Sequence, residues 1–283
     1  MKYKKLKNII EIDDLSEFNI KQILECGQIF RFNIKDDCGY VLSKDKRADF
    51  EKIDGKLIIR TDDLDYFEEF FDLRTDYSKI KTELYRHEFL REAVMFGGGI
   101  RILKNDLFEM IVSFIISANN NIKRIKNSIE QICEKFGEKK QDYYAFPTLQ
   151  QLKKATVEDF EKMGLGYRSH QLYSTLQSLT NDQIERFKIM PAESVKTELI
   201  KLKGVGSKVA NCIMLFGLGI TNTFPVDTWI NKVYNKVYKT NETNREKIEM
   251  EMIEKLKNLA GYAQQYLFYY FRENKIGVEK LEQ

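Results

Sequence analysis

The spacing of hydrophobic and polar positions changes character near residue 60. Before that point, short apolar runs at 9–12, 29–32 and 40–42 predict strands, as do 50–53 and 56–59. Their β-branched and aromatic side chains suit a pleated, half-buried surface. Asp54-Gly55 separates the last two, and an Asp-Gly pair tolerates the positive φ that a tight hairpin requires. One antiparallel sheet is therefore expected, with a helix over 14–24 packing Phe18, Ile20 and Ile23 onto it. From Thr61 the period is helical. Leu64, Phe67, Phe70 and Phe71 follow a Thr61/Asp62 cap, and Ile80, Leu84, Phe89 and Leu90 predict a helix over 78–94. Gly97-Gly98-Gly99 then interrupts the pattern. No Gly-Lys-Ser/Thr follows, so the triplet reads as a flexible linker rather than a phosphate loop.

Beyond that break every apolar period is helical. Asp106 caps a helix with Met110, Ile111, Phe114 and Ile115; further helices are expected at 125–136, 149–154, 157–163 and 170–180. A pair of helices flanks Gly204-Val205-Gly206, and three more cover 229–238, 245–259 and 262–272. The fold class is α+β. An N-terminal antiparallel-sheet domain with helices (1–98) precedes a larger all-helical region (99–283), which has room for two subdomains with a site between them.

Composition narrows the function. A length of 283 residues allows two or three domains, and 43% hydrophobic with 31% charged residues is globular. The net charge of +3 permits a nucleic-acid partner without demanding one. No apolar run follows the basic segment 1–7, so neither a secretory signal nor a membrane span is expected, and the location expected is cytoplasmic or nucleoid-associated. Cys26, Cys38, Cys133 and Cys212 form no CxxC pair, which argues against a disulfide framework or a structural zinc. His87 and His170 are the only histidines and read as surface or network residues.

The chemistry concentrates in residues 202–227. Pro191 suits the first turn of the helix before the glycines, and Ser207 is the expected N-cap of the helix after them. A hairpin of this kind, Gly204, Val205 and Gly206, turns backbone N–H groups and a positive helix end outward, as a phosphate site requires. Lys208 lies just inside the second helix, where a lowered pKa would make its amine a nucleophile. Asp227, in Phe-Pro-Val-Asp, sits at the edge of a core. Taken singly, the glycines are a turn, the lysine is solvated and the aspartate caps a helix. Their joint order is what points to a site. Two further loops, 117–124 with three consecutive asparagines and 164–168 with Tyr167 and Arg168, read singly as turns. Together they suit a wedge into a duplex from which a base has been flipped.

The order Leu-x-Gly-Val-Gly-x-Lys-x-Ala, then Pro-Val-Asp, closely resembles the helix–hairpin–helix DNA glycosylase superfamily. Four more motifs sharpen this to the 8-oxoguanine DNA glycosylases over nearly the whole chain: Gly27-Gln28-Ile29-Phe30-Arg31, Asn119-Asn120-Asn121-Ile122-x-Arg124, Gly164-Leu165-Gly166-Tyr167-Arg168, and Gly261-Tyr262-Ala263-Gln264 with Leu267-Phe268. The resemblance implies Lys208 as nucleophile and Asp227 as catalytic carboxylate. It implies that the Gly27 carbonyl and Gln264 read the damaged base, sandwiched by Cys212 and Phe268. Asn119 would fill the vacated gap, with Arg124, Tyr167 and Arg168 around the orphaned cytosine. It also implies a monovalent cation or calcium on the main-chain carbonyls of Ile200, Leu202 and Val205, but no required cofactor. The iron–sulfur branch is excluded, because no cysteine follows Asp227. The implied partner is duplex DNA with 8-oxoguanine opposite cytosine, engaged by a monomer.

Two positions depart from the family pattern. Trp229 stands where many relatives have a histidine, which puts a phosphate contact in doubt, and Cys26 replaces an expected serine. An alkylation-repair glycosylase of the same superfamily is the nearest rival, opposed by Lys208 and the Gly27 motif. A non-catalytic DNA clamp is another, with no need for Lys208 and Asp227 together.

Overall fold

The computed structural model describes residues 1–274. Strands β1 (Tyr3–Leu6), β2 (Ile9–Ile12), β3 (Phe32–Lys35), β4 (Cys38–Ser43), β5 (Lys46–Ile53) and β6 (Lys56–Thr61) form one sheet in the order β1-β2-β6-β5-β4-β3. Every pairing is antiparallel. Asp54 and Gly55 take positive φ (49° and 77°) and pair Ile53 with Lys56, so the expected hairpin forms at the expected place. Alternate residues Ile10, Ile12, Phe50, Leu57 and Ile59 bury against Phe18, Ile23, Phe67 and Phe71.

Several expectations shift. Residues 29–31 are not a strand; Ile29, Phe30 and Arg31 are buried in an irregular crossing between layers, so their apolar character reflects burial rather than pleat. The helix expected at 14–24 is only Ile20–Glu25, because Asn19 caps it and Asp14 closes its own turn onto Ser16. The helix expected at 78–94 is three pieces, Tyr77–Tyr85, Glu88–Leu90 and Arg91–Phe96. Leu84 and Leu90 are both fully buried, yet six residues of continuous helix would set them about 120° apart around the axis. The break lets both face inward. Strand β1 and a helix at Asn181–Ile189 were not expected.

Gly97–Gly99 is not slack. The Asn19 N–H donates to the Gly99 carbonyl (2.9 Å), the Gly99 N–H donates to Gln22 (3.0 Å), and a Cβ on Gly99 would lie 2.4 Å from that of Asn19. Hydrophobic packing crosses residue 98. Leu84, Leu90, Val94 and Ile100 share a cluster with Phe224, Ile230, Met252 and Leu267 from the C-terminal helices. A larger cluster joins Leu107–Ser117 to the helices through Ser207–Leu218. The groove of interest opens where these two clusters meet the turn at residues 26–28.

Candidate active site

The glycine hairpin forms as expected, between Ala192–Ile200 and Ser207–Leu218. Gly204 has φ +83°. The cap differs: Gly206 is the N-cap and makes no side-chain bond, while the Ser207 hydroxyl turns to Glu249 (3.3 Å). The first N–H groups of the second helix therefore remain free of a side-chain cap, which is the arrangement an incoming phosphate needs. Glu249 also pairs with Lys196, so one carboxylate ties both hairpin helices together.

Lys208, Cys212 and Phe216 recur every four residues and so share one face of Ser207–Leu218. The Lys208 Nζ lies 5.7 Å from the centre of the Phe114 ring, which stacks on Phe216 at 5.6 Å. Burial pushes the Cys212 thiol above its usual pKa; nearby Lys208 pulls it down and Asp227 pushes it up. Cys212 is thus a neutral, polarisable wall. Asp227, which lines the same pocket, caps Thr228–Tyr238 by accepting the Ile230 N–H (2.8 Å). The capping role and a place in the pocket coexist, because the bond leaves carboxylate acceptors unused and holds the group still.

Gly27, Lys208, Cys212, Asp227, Gln264 and Phe268 all line one pocket of about 340 Å³, open mouth included. Gly27 has φ +83°, and a Cβ there would stand 3.2 Å from the Phe268 ring. Both facts favour glycine. Gln264 is buried and donates to the Pro225 carbonyl (3.2 Å), while its Oε1 has no partner. Exchanging the amide's O and N would face two oxygens at each other, so Oε1 is the atom offered to a ligand. A buried acceptor without a donor is costly and marks a place for one.

The two wedge loops touch. Asn119 takes φ +48° and is exposed. Arg168 is 5% exposed and donates to the carbonyls of Ala118 (2.6 Å), Asn119 (2.5 Å) and Leu165 (3.1 Å). Tyr167 is 54% exposed, with Arg168 stacked 4.5 Å from its ring centre. Arg124 is exposed and donates to Gly164 (3.2 Å). At the hairpin, the Leu202 carbonyl accepts from Val205 (3.1 Å), and among the described residues no partner is found for the carbonyls of Ile200 and Val205. Trp229 is half-buried, with Lys232 5.8 Å from its ring centre.

Three supporting residues have no role assigned by the sequence patterns: Gln28, Gln265 and Arg272. Gln28 and Gln265 are buried and Arg272 half-buried, and all three bond to backbone carbonyls around the Gly27 turn. The signal was available for Gln265: Ala260–Glu273 is apolar nearly all round, so a buried amide within it must have a partner.

A lysine beside a glycine hairpin, a helix-capping aspartate in the same pocket and a mostly helical frame define a class, and the chain belongs to the HhH-GPD superfamily of base excision DNA repair proteins, whose model matches residues 112–258. The 8-oxoguanine DNA glycosylase N-terminal domain matches residues 11–111. The crystal structure of Clostridium acetobutylicum 8-oxoguanine glycosylase/lyase, in complex with dsDNA containing cytosine opposite 8-oxoG, is 38% identical. It superposes with a TM-score of 0.92 over 98% of this chain and 99% of that one. A protein of Methanothermobacter thermautotrophicus, named probable N-glycosylase/DNA lyase, is 30% identical over 75% of this chain and 76% of its own. The 3-methyladenine DNA-glycosylase from Archaeoglobus fulgidus shares the fold at 19% identity, with a TM-score of 0.72 over 96% of this chain and 99% of its own.

Proposed function

We propose that the protein is a bifunctional DNA glycosylase and lyase that flips 8-oxoguanine out of duplex DNA, preferably opposite cytosine, excises it and cleaves the strand. The observation that carries this reading is the single pocket in which Lys208 and Asp227 meet the Gly27 turn and the unpartnered Oε1 of Gln264.

Recognition follows from donor and acceptor logic. 8-Oxoguanine carries an N–H at N7, where guanine has a lone pair. The Gly27 carbonyl, which meets no donor among the described residues, accepts from the lesion and repels the normal base. The Watson–Crick edge of guanine presents N–H groups, which suit Oε1 of Gln264. Cys212 and Phe268 close on the two faces of the ring.

The neutral amine of Lys208 attacks C1′, and the C1′–N9 bond breaks with its electron pair leaving on the base. Asp227 stabilises the positive charge that develops on the sugar, held in place by its cap. Loss of the amine protons and opening of the sugar leave a Schiff base. Removal of a C2′ proton then expels the 3′ phosphate. Asn119 fills the vacated stack, Tyr167 wedges beside it, Arg124 faces the orphaned base, and Arg168, expected there as well, orders the loop through the carbonyls of Ala118, Asn119 and Leu165. The hairpin at Gly204, Val205 and Gly206 holds a backbone phosphate. The carbonyls of Ile200, Leu202 and Val205 suit a monovalent cation or calcium, which would add positive charge beneath that phosphate.

Excision is measured on duplexes carrying 8-oxoguanine or 3-methyladenine opposite the normal partner. Release of 8-oxoguanine with strand cleavage is expected. Release of the alkylated base alone, without cleavage, would overturn the proposal in favour of the alkylation-repair branch.

A further inference from the structure

We infer that Gln265 is the residue that positions the lesion-reading turn: from the helix that carries Gln264, it holds the Cys26–Gly27 peptide so that Gly27 and Gln264 address two edges of one purine. The inference rests on the reading above, in which the Gly27 carbonyl meets N7–H.

Gln265 is 2% exposed, and its Nε2 donates to the Cys26 carbonyl at 2.6 Å. That carbonyl shares a rigid peptide plane with the Gly27 nitrogen. With the plane held and Gly27 at φ +83°, only ψ decides where the Gly27 carbonyl points. The other side of the turn is held by Gln28, which is fully buried and committed to the N-terminal layer. Its Nε2 donates to the carbonyls of Ile23 (2.9 Å) and Arg101 (2.8 Å), and its Oε1 accepts from Leu103 (2.8 Å). Gln265 supplies the opposite tie, to the C-terminal helix. Arg272, about two turns further along that helix, repeats it by donating to the Glu25 carbonyl (2.6 Å).

Gln264 and Gln265 are consecutive residues of Ala260–Glu273, about 100° apart around its axis. One turn of helix therefore carries the reader of the Watson–Crick edge and the clamp on the reader of the N7 edge. Removing the Gln265 donor leaves the Cys26 carbonyl buried without that partner and frees its peptide plane to rotate. The Gly27 carbonyl then swings off the N7 line while Gln264 keeps its place. Only a ligand with a base in the pocket feels the change; the phosphate hairpin and the wedge do not.

The test uses the full chain with Lys208→Gln, which removes chemistry, and compares Kd for three duplexes with 8-oxoguanine, guanine or a tetrahydrofuran abasic analogue opposite cytosine. Adding Gln265→Leu should raise Kd for the 8-oxoguanine duplex about tenfold, the size of one net hydrogen bond, and shift the other two by less than about twofold. Gln265→Met keeps the side-chain length without the donor and should give the same pattern if the leucine variant folds poorly. Parallel weakening on all three duplexes, or an unchanged Kd for the lesion, overturns the inference. If Lys208→Gln alone binds 8-oxoguanine no tighter than guanine, the reading of the lesion itself has failed, which is visible before Gln265 is touched.

Discussion

A guanidinium reads a base only with the donors its own protein leaves free. Arg168 spends Nε, Nη1 and Nη2 on the carbonyls of Ala118, Leu165 and Asn119, and its effect in this state is to shape the loop that presents Asn119 and Tyr167. Arg124 is exposed and spends one nitrogen on Gly164. Cytosine offers acceptors at O2 and N3, whereas adenine places an amino donor against a donor. Excision opposite C, A, G and T should therefore separate the two arginines. Arg124→Ala should remove most of the cytosine preference, roughly 1–3 kcal/mol for a donor left unpaired against the wrong base. Arg168→Ala should slow all four about tenfold and keep their order, as expected for losing a charge-assisted bond that orders a loop. The reverse pattern would exchange the roles. At this scale the sequence was informative where chemistry depends on residue type and spacing: Lys208 and Cys212 sit one helical turn apart, so their common face was readable. It shows that Gln265 needs a partner but not which one, because that partner lies at Cys26, nearly the length of the chain away.

Helix Leu107–Ser117 shows what an element can hide. It is buried on every side, and Glu109 within it is 2% exposed. Burial pushes the Glu109 carboxyl up to about 7, against the opposing pull of nearby Arg31 and of the Lys44 N–H, which donates at 2.9 Å. A carboxyl raised in the folded state contributes its full stability below its unfolded value near 4.5, and that contribution is lost as pH rises through 7. Spread over that window the loss is about 3 kcal/mol at most. Glu109→Gln keeps an acceptor for Lys44 and cannot ionise. Its denaturation free energy should match the wild type near pH 4.5 and exceed it near pH 8; a wild-type curve flat across the window would contradict the assignment. Element boundaries were legible where a cap or glycine spoke plainly, as at Asp106 and the Gly204 hairpin. They were not where burial came from tertiary packing. Ile29–Phe30–Arg31 looked like a strand because a buried crossing carries the same apolar residues. Asn181–Ile189 carries almost no apolar period, because only Ile184 and Phe187 of its nine residues are buried.

Across the whole molecule, the site is assembled from distant parts of the chain. Gly27 comes from the sheet end of the chain, Lys208 and Cys212 from the hairpin, and Asp227, Gln264 and Phe268 from the C-terminal helices. No periodicity reports such a meeting; only the joint order of motifs did. Three hydrophobic clusters hold these parts in register, and the two helical ones meet across Tyr262. With a net charge of only +3, DNA affinity has to rest on local contacts such as the hairpin N–H groups and the arginine loop rather than on a general field. The central claim is that the amine of Lys208 becomes bonded to the sugar of an 8-oxoguanine nucleotide. Borohydride added during turnover of an 8-oxoguanine:cytosine duplex tests it directly, by reducing any Schiff base to a stable protein–DNA bond. The wild-type chain should give one covalent adduct, with the cross-linked peptide mapping to Lys208, and Lys208→Gln should give none. An adduct of equal yield in Lys208→Gln, or base release by wild type with no adduct at all, would contradict the account.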